Sequence, residues 1–279
     1  MLDPAPEPPS LADLPADQPS VELPRCVAAP TEADGASRPA ARPRHIQPVE
    51  RLGALIEVFL CSGFPTQLLV FAALSQAGLH ARTAEGALAA PFVVAWALID
   101  MVLILGLVCV FLRAHGEPLR QFVIGNRRPA REITLGLLLI PAAFVIVVVV
   151  LAIALTIRPS LNNVPVNPFE SMMHTPRDAA IFALVVMLAG GVREEVQRGF
   201  IIRRFDTYLG GGLIGILLYS VVFGLGHIEQ GYAAAIATGT LGAAWGLVYY
   251  ARRSIVAPMI SHAGFNLGQL VKYVTLAAR

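Results

Sequence analysis

Residues 132–156, EITLGLLLIPAAFVIVVVVLAIALT, form an apolar block of 25 residues with one charge, at its first position. About 20 residues of helix cross a hydrocarbon core, so this block is long enough to span a membrane. Further apolar blocks lie on either side of it, at about 53–77, 88–112, 179–203, 211–228, 231–251 and 254–277. Long continuous runs rather than short alternating ones predict helices and exclude an outer-membrane barrel. The expected fold is all-α, a polytopic membrane helix bundle with about seven transmembrane helices.

Composition agrees. Hydrophobic residues make up 56% of the 279-residue chain and charged residues 14%, against about a quarter charged in soluble domains; the mean hydropathy is +0.64. Twenty of the 21 basic residues are Arg and the one lysine is Lys272, which leaves little for phosphate-binding lysine motifs, so nucleic acid is not an expected partner. Cys26, Cys61 and Cys109 have no C-x-x-C spacing, which predicts neither a disulfide framework nor a cysteine zinc site.

Residues 1–50 contain 11 of the 21 prolines with scattered charges and no periodic apolar pattern. Such a stretch cannot bury enough surface to offset its ordering entropy, and a disordered Pro-rich tail is expected there, followed by a membrane domain over 51–279. MLDPAPEPPSLADLP lacks the basic start and apolar run of a signal peptide. Basic residues alternate between richer and poorer connections along the chain, and the positive-inside rule then places the tail in the cytoplasm. The connection 113–131, RAHGEPLRQFVIGNRRPAR, reads either as a helix at the membrane interface or as a solvated loop.

Charge within a membrane helix is costly, so such residues are functional candidates or structural pairs. Glu57 and Asp100 are expected to make structural polar contacts. In AGGVREEVQRGF, Arg193, Glu194, Glu195 and Arg198 fall within two helical turns; Glu194 and Arg198 are i,i+4 and Glu195 and Arg198 are i,i+3, so either carboxylate can pair with that guanidinium and leave the other free for proton transfer. The plain alternative is a helix end whose charges snorkel to the interface. His227 closes FGLGH, and His262 precedes Asn266 by one helical turn, on one face. A carboxylate pair, two histidines and an asparagine make an acid/base and oxyanion-binding set.

At these residues the chain resembles the CAAX-protease and bacteriocin-processing family of intramembrane endopeptidases, also called Abi or type II CAAX prenyl proteases. The family pattern is E-E-x-x-x-R, then F-x-x-x-H, then H-x-x-x-N. Phe223 with His227 matches the second motif and His262 with Asn266 the third, over a core of about residues 177–270. The first motif departs from it, because Glu194-Glu195-Val196-Gln197-Arg198 has two residues between the glutamates and the arginine. Anchoring on the glutamates makes Glu194 the catalytic carboxylate; anchoring on Arg198-Gly199-Phe200 puts Arg193 there and Glu194 second. The first alignment is preferred, since an i,i+4 pair keeps Glu194 and Arg198 on one face.

The resemblance implies a peptidase in which Glu194 and His227 activate water, His262 and Asn266 hold the oxyanion, and Glu195, Arg198 and Phe223 support them. It implies a peptide or membrane-protein substrate, contact with membrane lipid, and a bacterial inner-membrane location. No cofactor is expected; zinc held by Glu194, His227 and His262 is the second choice, since the family was long described as metalloproteases. The rival readings are a non-catalytic membrane scaffold of the same fold and a transporter with a proton path through Glu57, Asp100 and the glutamate pair. Straight helices drawn from their cytoplasmic ends leave His227 about 20 Å deep but Glu194 and His262 only about 12–14 Å.

Overall fold

A computed structural model describes residues 46–164, 166–173 and 175–277; the tail expected over residues 1–50 lies almost wholly outside them. The described chain is a bundle of α-helices with no strand, apart from an isolated bridge between Arg82 and Leu88. In chain order the helices are α1 Pro48–Cys61, α2 Phe64–Gln76, α3 Ala90–Ala114, α4 Leu119–Val123, α5 Pro129–Ile157, α6 Pro176–Val185, α7 Glu194–Tyr208, α8 Gly212–Leu225, α9 Tyr232–Arg252 and α10 Val256–Ala277. Three stretches are long and apolar enough to cross a membrane: Pro48–Gln76, Ala90–Ala114 and Pro129–Ile157. Helix lies over all seven apolar blocks, but only these three pass on length and hydropathy among the described residues.

The distribution of side chains is that of a membrane bundle. Leu137, Leu138, Val145 and Val148 on α5 and Leu213, Leu217 and Val221 on α8 face outward, while Glu57, Asp100, Glu132, Arg193, Glu195, Arg198 and Arg204 are buried. Charges in such an interior persist only when paired, and they are: Glu57 accepts from Arg204 and contacts His115, Asp100 accepts from Arg193 and Thr66, and Glu132 accepts from Arg252. Glu57 and Asp100 are thus the structural contacts expected of them, with partners 147 and 93 residues away.

Glycines set the helix spacing where α5 meets α10. A Cβ added at Gly136 would meet Ile260, one at Gly264 would meet Ile140, and one at Gly268 would meet Phe144. The pairings advance by four residues on both helices in the same direction, so α5 and α10 pack in parallel through small residues, the usual means of close approach in lipid. The first apolar block is broken instead at Gly63, whose φ of 90° ends α1 and starts α2. The carbonyl of Cys61, left free by that break, accepts from Gln197 Nε2 at 2.6 Å.

Two expectations change. The fourth block does not end near Arg203 and Arg204: α7 runs to Tyr208, and both arginines turn inward to Glu117, Arg204 also to Glu57. Counted from the true turn, Glu194 lies about 21 Å back along α7 and His227 about 22 Å along α8, so the apparent mismatch in depth between these two disappears. The 113–131 connection contains the short helix α4, whose Phe122 is buried. Val123 accepts from Ile255 N–H and Ser254 Oγ, which ties α4 to the turn before α10. Cys61 and Cys109 are free thiols, and Cys26 lies outside the described residues.

Candidate active site

Between α6 and α7 the helix widens into a π-helical segment, Val186–Arg193, and the Glu194 N–H donates five residues back to Ala189. Such segments are uncommon and recur at functional sites. Gly190 and Gly191 lie within it, and both press on α10: a Cβ at Gly191 would meet Ala263, and one at Gly190 would meet the Asn266 amide, with His262 Nε2 at 3.9 Å. The Ala-Gly-Gly run therefore lets α10 bring His262 and Asn266 against the start of α7.

The two glutamates part company there. Glu195 is 1% exposed and accepts from both Arg198 and His262 Nδ1, the latter at 2.7 Å. Glu194 is only partly buried and its Oε2 stands 3.7 Å from His262 Nε2. The i,i+4 pairing of Glu194 with Arg198 is replaced by the i,i+3 pairing of Glu195, because Glu195 lies inward with the guanidinium. The charges are not a snorkelling helix end: Arg198 is 1% exposed.

Arg198 is enclosed by aromatic rings, 4.6 Å from the centre of Phe223, 5.4 Å from Tyr219 and 5.6 Å from Trp245. That arrangement offsets part of the burial cost of a cation through ring quadrupoles. Trp245 also stacks on His262 at 4.0 Å and 20° and donates its indole N–H to Ser261. His227 follows α8 directly; its Nδ1 meets the Phe223 carbonyl at 2.8 Å, which leaves Nε2 for the cavity. Asn266 donates weakly to Val186, at 3.4 Å.

Glu194, His227, His262 and Asn266 line one cavity of about 460 Å³, together with Arg193, Gln197, Tyr219, Phe223 and Trp245. Its far walls are Phe64 and Trp96 from α2 and α3 and Phe169 and Met173 from the loop before α6. All four residues expected to be catalytic are thus gathered on one space, with Glu195 and Arg198 behind them. The sequence reading missed Tyr219, Gln197 and Trp245, apolar-block residues whose role depends on what lies opposite. It also gave no role to Gly190 and Gly191, although an adjacent glycine pair in a membrane helix is itself a signal of close approach.

Among the described residues no three His, Cys, Asp or Glu side chains form a group able to hold a metal ion, the Glu194, His227 and His262 set included.

Residues 176–268 match the model of the family described as type II CAAX prenyl endopeptidase Rce1-like. The match runs from the first turn of α6 into α10 and contains every residue of the site named above except those of α2, α3 and the preceding loop. No curated protein and no solved structure matches the chain. The match covers about a third of the chain and coincides with the segment that carries the motif resemblance.

Proposed function

We propose that the chain is an intramembrane endopeptidase that hydrolyses a peptide bond with Glu194 as its base. The observation that carries this reading is the division of labour between neighbouring carboxylates: Glu195 is committed to Arg198 and His262, whereas Glu194 lines the cavity and accepts from neither.

Glu194 and His227 would hold a water between them and remove its proton as it attacks the scissile carbonyl. His262 Nε2 and the Asn266 amide would donate to the oxyanion that develops. Donation from Nε2 while Nδ1–H is given to Glu195 requires the ring to carry both protons. The proton taken by Glu194 passes to the departing amine, which completes the hydrolysis.

The substrate is a peptide or membrane protein reached within the bilayer, and no metal is needed. The bundle belongs in a bacterial inner membrane with its N-terminus on the cytoplasmic side, the side to which the basic connections point. Arg193, the alternative candidate for the catalytic position, is paired with Asp100 and acts as a strut. The test compares peptide termini in membranes from cells carrying the wild type and Glu194→Ala. A new terminus seen only with the wild type supports proteolysis and identifies the substrate; identical termini, with Glu194→Ala rescuing a deletion phenotype, point to a scaffold.

A further inference from the structure

Five arginines of the 113–131 connection, Arg113, Arg120, Arg127, Arg128 and Arg131, are exposed. The acidic residues beside them are not available to cancel this charge. Glu117 is turned inward to Arg203 and Arg204, and Glu132, fully buried, accepts from Arg252. Among the described residues, none of the five arginines forms an ion pair; Arg127 gives one N–H to the Arg252 carbonyl.

The surface that carries them is fixed rather than loose. Val123 accepts from Ile255 and Ser254, and Phe122 packs beside Gly199, where a Cβ would collide with Ile255. Gly125, at a φ of 62°, lies against the Arg253 carbonyl so closely that no side chain fits. Next to this platform the outer face of α5 carries a shallow groove of about 320 Å³ lined by Ala130, Arg131, Thr134, Leu135 and Leu138. A guanidinium stands at one end and exposed leucine at the other, since Leu138 is 67% exposed.

We propose that this end of the bundle is a binding site for an anionic phospholipid, whose phosphate is held by the arginines around α4 and whose acyl chain lies along the α5 groove. Charge complementarity selects the headgroup, because each arginine near an anionic surface favours it by about fivefold. The groove selects an amphiphile over a free phosphate, which would use the arginines alone. The platform is bonded to the turn that starts α10, and His262 lies six residues into that helix. Bound lipid would therefore steady the α10 side of the site; this second consequence rests on the peptidase reading, and the lipid site does not.

The test uses the full chain reconstituted in vesicles of phosphatidylcholine mixed with phosphatidylglycerol, with retained lipid counted by native mass spectrometry. The wild type and Glu194→Ala should both retain phosphatidylglycerol over phosphatidylcholine by fivefold or more, about the effect of one arginine. The combined Arg120→Gln, Arg127→Gln, Arg128→Gln and Arg131→Gln variant should lose that preference with an unchanged melting temperature. Equal retention of both lipids by the wild type would overturn the proposal, as would an undiminished preference in a folded variant. Displacement of the lipid by inorganic phosphate would overturn the lipid as the source and leave a phosphate site. Should the variant fail to fold, loss of the preference in wild type at high salt supports the site, and salt-insensitive retention refutes it. If lipid selection holds while no peptide is cleaved by any form, the peptidase reading alone has failed.

Discussion

Glu195 and His262, 67 residues apart, are joined by a 2.7 Å hydrogen bond through Nδ1, and the other ring nitrogen stands 3.7 Å from Glu194. One imidazole thus separates a carboxylate locked into the bundle from a carboxylate facing the cavity. The two glutamates should fail in different ways.

Glu194→Ala should lower peptide cleavage by about 10²- to 10⁴-fold, the usual contribution of a positioned base, and leave the melting temperature near that of the wild type. Glu195→Ala strands Arg198 in the interior without its anion and should cost about 3–5 kcal/mol of stability. Thermal unfolding in detergent beside a cleavage assay separates the two. A stable, inactive Glu195→Ala with an active Glu194→Ala would show that the roles are reversed.

Gly190→Ala should act on the chemistry without touching a catalytic side chain. The added methyl enters the space of the Asn266 amide, and a displacement of about 1 Å in a reacting group costs on the order of 100-fold in rate. Because the effect passes through Asn266, the double variant Gly190→Ala with Asn266→Ala should cleave no more slowly than Asn266→Ala alone. A further loss in the double variant would mean that the methyl acts elsewhere.

Trp245 forms a wall for both His262 and Arg198. Trp245→Ala should cost about 3–5 kcal/mol, as large aromatic truncations in a core do, and should slow cleavage. Trp245→Phe keeps a ring over the imidazole and loses only the hydrogen bond to Ser261, so it should retain most of the stability. Equal damage from both would assign the role to the indole N–H rather than to the stack.

Asp100 and Arg193 form a buried strut between α3 and the π-helical segment. Removing either partner alone should destabilise the fold by about 3–5 kcal/mol, whereas Asp100→Leu with Arg193→Met should restore much of it. Cleavage by that double variant, measured at a temperature where it is folded, should persist. Its abolition would put Arg193 into the chemistry and favour the alignment that gives it the catalytic position.

The apolar blocks alone determined that this chain is a helical membrane bundle, since backbone groups in lipid must bond within their own helix. The ordered motifs singled out Glu194, His227, His262 and Asn266 as candidates, because each motif is short enough to read along one helix; that the four line one cavity is a result of how α7, α8 and α10 pack. Long-range partners were not readable. Nothing local distinguishes Glu194 from Glu195, which differ by 100° around one helix; the packing of α10 against Gly190 and Gly191 decides which one His262 and Arg198 bury. The break at Gly63, the inward turn of Arg203 and Arg204, the struts Glu57–Arg204 and Asp100–Arg193, and the aromatic enclosure of Arg198 arise in the same way. A charge in an apolar interior takes whatever opposite charge the folded helices bring to it, and that pairing exists only once the bundle has formed.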